Sequence, residues 1–182
     1  ITTALSGLTL DESALPPAGD GVYSASLNLS SYFSPAVPNY GTDLPGSTDY
    51  KLVLTDNDAT PGVGSGLYAL GANGGKGSEI ILTQDPSTGV ITGAANGTNY
   101  FTISVNASGE VIFAYSNQID PANIWHGNTG SNDESEYLNV TGGSLNLVQV
   151  ITDADGDTAT SAGLNLGNGN AFAIQDDGPT AS

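Results

Sequence analysis

Residues 79–115 read EIILTQDPSTGVITGAANGTNYFTISVNASGEVIFAY. Runs rich in Ile, Val, Thr, Phe and Tyr alternate with three short polar breaks, Asp85-Pro86-Ser87-Thr88-Gly89, Asn96-Gly97 and Asn106-Ala107-Ser108-Gly109. β-branched and aromatic residues favour strands. The glycine ending each break can take the positive φ that closes a tight turn, and Pro86 suits an early turn position. Phe101, Ile103 and Val105 share one face, as do Val111, Phe113 and Tyr115. The stretch predicts two hairpins in a meander, with strands over 79–83, 90–92, 100–105 and 110–115.

The same texture continues outward. Strands are expected over 22–29, 50–54, 137–140, 145–151, 158–166 and 171–175, with a short apolar run at 67–70 and loops over 31–47, 60–66 and 71–77. Within 145–151 the alternation changes phase between Leu147 and Val148, which predicts burial on both faces or a bulge. Nowhere does a long segment carry apolar residues at helical spacing. Asp120-Pro121 reads as an N-cap and a first-turn proline, so a short helix over 121–125 is expected. Short strands with turn signals at this spacing point to a sandwich. The 182 residues suit one domain, 1–182, without an internal repeat. The expectation is an all-β, antiparallel, Ca²⁺-stabilised β-sandwich with long loops and at most short helices. Its start, Ile1-Thr2-Thr3, carries no leader signal, and the chain reads as a piece excised from a larger multidomain protein.

Nineteen Asp and Glu stand against two Lys and one His, giving −17 at pH 7. Such a surface cannot neutralise phosphates, which excludes nucleic acid as a partner. Anionic membranes are disfavoured for the same reason, and no apolar run approaches the roughly 20 residues of a membrane span. Self-repulsion on this scale opposes a compact state unless a cation joins it. Solubility or a saline habitat is the plainer explanation of the charge. There is no Cys, so neither disulfides nor thiolate zinc sites are available. With one His, His-rich zinc or copper sites are disfavoured, and oxygen-seeking Ca²⁺ is the metal left.

The acids are clustered. Asp153-Ala154-Asp155-Gly156-Asp157 places three carboxylates at alternate positions of a strand-to-strand turn. It is not an EF-hand, since Leu164 stands at the twelfth position, where a bidentate Glu belongs, and strands flank it. A polar hairpin tip is the alternative. Asp11-Glu12 and Asp176-Asp177 form two further pairs, either cation ligands at a junction between tandem domains or solvated linkers. Asp56-Asn57-Asp58 is a weaker candidate, equally a turn. Segment 116–136 is long, polar and irregular, a pattern usually functional or disordered. With the adjoining Tyr115 it carries Gln118, Trp125 and His126 as candidate ligand contacts, and Asp133-Glu134 as candidate cation ligands. The alternative has Trp125 plugging the sandwich end and His126 merely exposed. No Gly-x-Ser-x-Gly elbow is present, and a Ser-His-Asp triad would have to use His126. Gly71-Ala72-Asn73-Gly74-Gly75-Lys76-Gly77 only superficially resembles a phosphate loop. The expectation is a binding module and not an enzyme.

Several segments together resemble a known family: Leu8-Thr9-Leu10-Asp11-Glu12-Ser13, Tyr40-Gly41-Thr42-Asp43, Ser65-Gly66-Leu67, Ser108-Gly109-Glu110-Val111, and the tail from Val150 through Asp157 to Asp176-Asp177-Gly178-Pro179. They look like the large module of giant repeats-in-toxin (RTX) adhesins exported by type I secretion. The resemblance implies a Ca²⁺-bound sandwich on the bacterial cell surface, carried on tandem extender domains. In some such adhesins the similar module binds peptides, holding a partner protein's C-terminal end with help from Ca²⁺, for attachment to host or algal cells and biofilm formation. The sequence departs from that pattern around Gln118 to Asp133, where Asp120 occupies a position often held by His. Calcium-dependent glycan binding and a passive spacer role are the rival readings.

Overall fold

A computed structural model describes residues 5–33, 40, 42, 44–116, 123–127 and 134–177. The meander forms as its alternation dictates. β5 (Lys76–Gln84), β6 (Ile91–Ala95), β7 (Thr98–Val105) and β8 (Glu110–Tyr115) pair antiparallel in sequence. β4 (Val63–Leu70) adds to β5, and β2 (Ser24–Asn28) to β8, completing a six-stranded sheet. Register sets Phe101 opposite Tyr115, Ile103 opposite Phe113 and Val105 opposite Val111, so the two apolar faces predicted for this hairpin meet. Asn96 (φ 51°) and Gly97 (φ 80°) both take positive φ, as a two-residue hairpin turn requires. At the neighbouring turn the Asp85 carboxylate accepts hydrogen bonds from the Ser87 and Thr88 amides at 2.7 and 3.1 Å.

A second sheet is built on β10 (Gly143–Asp153), which pairs with β3 (Pro45–Asp56), β11 (Thr158–Thr160) and β12 (Leu164–Asn165). β3 is longer than expected and takes in residues 45–47, read above as loop. Of the two alternatives expected at Leu147/Val148, burial on both faces or a bulge, neither is seen: pairing with β3 runs unbroken there and shifts register only at Thr152/Asp153. β10 keeps its period of two, burying Leu145, Leu147 and Gln149 on one face. Gln149 is tolerated there because its amide donates to the Tyr50 hydroxyl at 3.0 Å. The single strand expected over 158–166 is instead two. Thr160 pairs with Val150 and Leu164 with Leu147, leaving this strand one residue longer than β10 across the gap. Ser161 absorbs the mismatch, its hydroxyl accepting the Gln149 N–H at 2.9 Å.

The third sheet joins the two ends of the chain. β1 (Leu8–Asp11) runs parallel to β13 (Phe172–Gln175), and β9 (Ser135–Tyr137) runs antiparallel to β13. Together the sheets make a sandwich-like, nearly all-β arrangement without an α-helix among the described residues. Phe101, Phe113 and Phe172 stack edge-to-face with centroids 5.2 Å apart, tying β7 and β8 to the terminal strand. Gln84 ties β5 to β3: its side chain accepts from the Leu54 N–H and donates to the Leu52 carbonyl.

The short helix expected over 121–125 does not extend to Trp125: Asn123 is in a 3₁₀ turn, and the chain leaves it at Ile124. Ile124 bridges Ala69, and the Trp125 N–H donates to the Tyr68 carbonyl at 2.9 Å, so this stretch lies along β4. Pro121 and Ala122 lie outside the described residues.

Candidate metal centre

Glu12 follows β1 directly, and its N–H donates to the Gln175 carbonyl at 3.1 Å, extending the β1–β13 pairing by one step. This holds the Glu12 side chain in the interior, 2% exposed. Asp176 follows β13 and donates its N–H to the Glu134 carbonyl at 2.9 Å. His126 comes from the stretch laid along β4, and its side chain is 5% exposed. One donor atom from each of Glu12, His126 and Asp176 lies within 4.8 Å of the others.

The polar accounting at this point is incomplete. His126 Nε2 lies 3.4 Å from Glu12 Oε2, an ion-pair separation without hydrogen-bond geometry. Glu12 Oε1, both imidazole nitrogens and the Tyr115 hydroxyl are buried and have no hydrogen-bond partner among the described residues. Burial pushes the Glu12 carboxyl up to about 7, against the opposing pull of His126. Burial also raises Asp176. His126 is raised too: burial alone would lower it, but Glu12, Asp176 and Glu136 outweigh that. Tyr115 is pushed far up by burial and by the charges of Glu12 and Asp11.

Of the expected cation ligands, Glu12 and Asp176 meet here, although 164 positions apart in sequence. Asp11 lies alongside, its carboxylate accepting the Ser13 N–H at 2.8 Å. Asp177 is exposed and accepts from the Ser13 hydroxyl at 3.4 Å. Glu134 stands close enough to raise Asp176. Asp133 and Gln118 lie outside the described residues.

The expected ligand contacts separate. His126 is buried in the cluster, which overturns the reading of it as merely exposed. Tyr115 lies close enough to Glu12 and Asp11 for their charges to act on it, and packs edge-on to Tyr23 at 5.6 Å. Trp125 points elsewhere, edge-on to Tyr68 at 6.5 Å, with the Lys76 ammonium 3.6 Å from the Tyr68 ring centre and 5.1 Å from that of Trp125. Sequence reasoning missed Lys76, Tyr68 and Glu136 as members of these surroundings. The sequence reading places His126 with the ligand contacts and not with the acids, although a single His among nineteen acids is a signal for the latter.

The hairpin trio lies apart. Asp153, Asp155 and Asp157 also bring donor atoms within 4.8 Å of one another. Gly156 (φ 100°) allows the curl. The Asp153 carboxylate accepts the Gly156 and Asp157 amides at 3.1 and 2.8 Å, so it also closes its own turn. Asp155 is raised by its hydrogen bond with Asp153 and by that residue's charge; the same hydrogen bond lowers Asp153. The trio is half-buried at Asp153 and exposed at the other two positions. Asp56 and Asp58 cap backbone amides of the loop after β3, the turn reading of that segment.

These features define an all-β, sandwich-like arrangement with two candidate cation-binding groups among the described residues. The chain belongs to the family described as domain of unknown function DUF5801, which matches residues 7–167. The match takes in Glu12, His126 and the Asp153–Asp157 hairpin and stops before Asp176. No curated protein and no solved structure matches the chain. No helix among the described residues is long and apolar enough to cross a membrane.

Proposed function

We propose that this chain is a Ca²⁺-dependent binding module of an extracellular bacterial adhesin, acting by recognition and not by catalysis. The observation that carries the reading is the Asp153–Asp155–Asp157 trio on an exposed turn, in a chain of net charge −17. Three carboxylates held this close repel one another, and a hard cation with oxygen preference relieves that repulsion. The raised Asp155 is what such crowding produces without one.

The parallel β1–β13 pair supports an in-line role. Leu8 and Gln175 sit at opposite ends of the pair, so the chain comes in at one end and leaves at the other. Modules strung into a fibre need that geometry. The ligand proposed is a protein or peptide C-terminus, whose carboxylate would complete the coordination of a bound Ca²⁺. The test is a peptide array read in millimolar Ca²⁺ and in chelator, with each peptide as free acid and as amide. Binding lost in chelator and on amidation is expected. Equal binding of the amides would exclude the carboxylate mechanism. Binding of glycans alone would make the module a lectin, and no binding at all would leave a spacer.

A further inference from the structure

The buried cluster differs from the exposed hairpin in chemistry. Its donors are one imidazole and two carboxylates, contributed by three separate parts of the chain. We propose that Glu12, His126 and Asp176 form a second metal site, selective for a divalent transition-series ion of the Zn²⁺ or Mn²⁺ type over Ca²⁺, which clasps the end of β1, the end of β13 and the segment along β4.

Two independent observations carry this. The three donor atoms already lie within 4.8 Å of one another, so small inward shifts bring each to the usual ~2.0–2.2 Å from an ion. The second observation is the unmet polar demand. The Glu12 and His126 side chains are 2% and 5% exposed, yet Glu12 Oε1 and both ring nitrogens lack partners among the described residues. An ion pair at 3.4 Å engages one oxygen and one nitrogen and leaves the rest unserved. Buried charge without full pairing is costly, and native interiors rarely leave it so.

The donor set chooses the ion. Ca²⁺ takes six to eight oxygens, and a buried imidazole supplies none. Imidazole with carboxylates suits Zn²⁺ and its neighbours in the first transition row. Charge also balances: two carboxylates and a neutral imidazole around a divalent ion sum to zero. Glu136 is close enough for its charge to act on His126, while its Oε1 accepts the Gly127 N–H at 2.9 Å.

The test begins with chelator-stripped chain dialysed against Zn²⁺, Mn²⁺ or Ca²⁺ at micromolar level, with bound metal measured directly. One equivalent of Zn²⁺, retained against a thousandfold excess of Ca²⁺, is expected. His126→Asn and Glu12→Gln lose that equivalent, while Asp155→Ala keeps it, which separates this site from the hairpin. Should the buried variants fail to fold, the wild type still decides. His126 is the only His, so the imidazole ¹⁵N signals report this site alone. One ring nitrogen should shift on adding one equivalent of Zn²⁺. Unmoved imidazole signals, or Zn²⁺ displaced by equimolar Ca²⁺, would overturn the proposal.

Discussion

Glu12 shows how much a single residue can couple folding to solution conditions. Its carboxyl is raised to about 7 from an ordinary 4.5 by burial, and the folded chain therefore binds its proton more tightly than the unfolded chain does. His126, raised by Glu12, acts in the same sense. Both contributions are complete below the unfolded values and are lost as pH rises through the folded ones. The charge of Asp176 raises both groups and that of Glu136 raises His126, which strengthens the trend. In chelator, stability should therefore fall between about pH 5 and pH 8, by at most about 3 kcal/mol from Glu12. Urea unfolding followed across that range measures it. Glu12→Gln should flatten the slope, and a slope unchanged in that variant would show that Glu12 is not its source. Neither the proximity of Glu12 to His126 nor its burial was legible in the sequence, because both depend on a parallel strand pairing between the chain's two ends. The grouping of the acids into pairs was legible; their meeting was not.

At the scale of elements, the meander was the most legible part, since alternation and turn chemistry agree there at every step. Gly93 lies opposite Phe101, whose ring fills the space a side chain would take. A Cβ on Gly93 would sit 2.4 Å from the Phe101 ring. Gly93→Ala should cost about 1–3 kcal/mol through overpacking. Gly97→Ala meets nothing within 4 Å and carries only the strain of φ 80°, about 1–2 kcal/mol. Paired thermal melts distinguish the two causes: adding Phe101→Leu should relieve Gly93→Ala and leave Gly97→Ala unaffected. No rescue in either background would place the strain elsewhere. The strands around β10 were less legible. Thr158 to Leu166 reads as continuous strand, but a one-residue mismatch in pairing interrupts it, and register is a property of two segments, not one. The helix read over 121–125 ends early for a related reason. Asp120-Pro121 is a sound local signal and Asn123 takes a 3₁₀ turn, yet the free edge of β4 at Tyr68 and Ala69 takes the chain from Ile124 onward.

Across the whole molecule, charge is the dominant constraint. Two Lys cannot offset nineteen acids, and one of the two, Lys76, sits against the Tyr68 and Trp125 rings. A cation bound to the folded chain and not to the unfolded one stabilises it by about 2.7 kcal/mol at a hundredfold excess over its Kd. In a chain of this length that is a rise of roughly 2–4 °C per kcal/mol. Mg²⁺ should substitute poorly, because it gives up its waters reluctantly. The most direct measurement is thermal unfolding of the wild type and of Asp155→Ala, each in millimolar Ca²⁺ and in chelator. A Ca²⁺-dependent module predicts a wild-type melting point several degrees higher in Ca²⁺, with most of that gain lost in Asp155→Ala. Superimposable wild-type curves in Ca²⁺ and chelator would contradict it and leave the hairpin acids as a solvated turn.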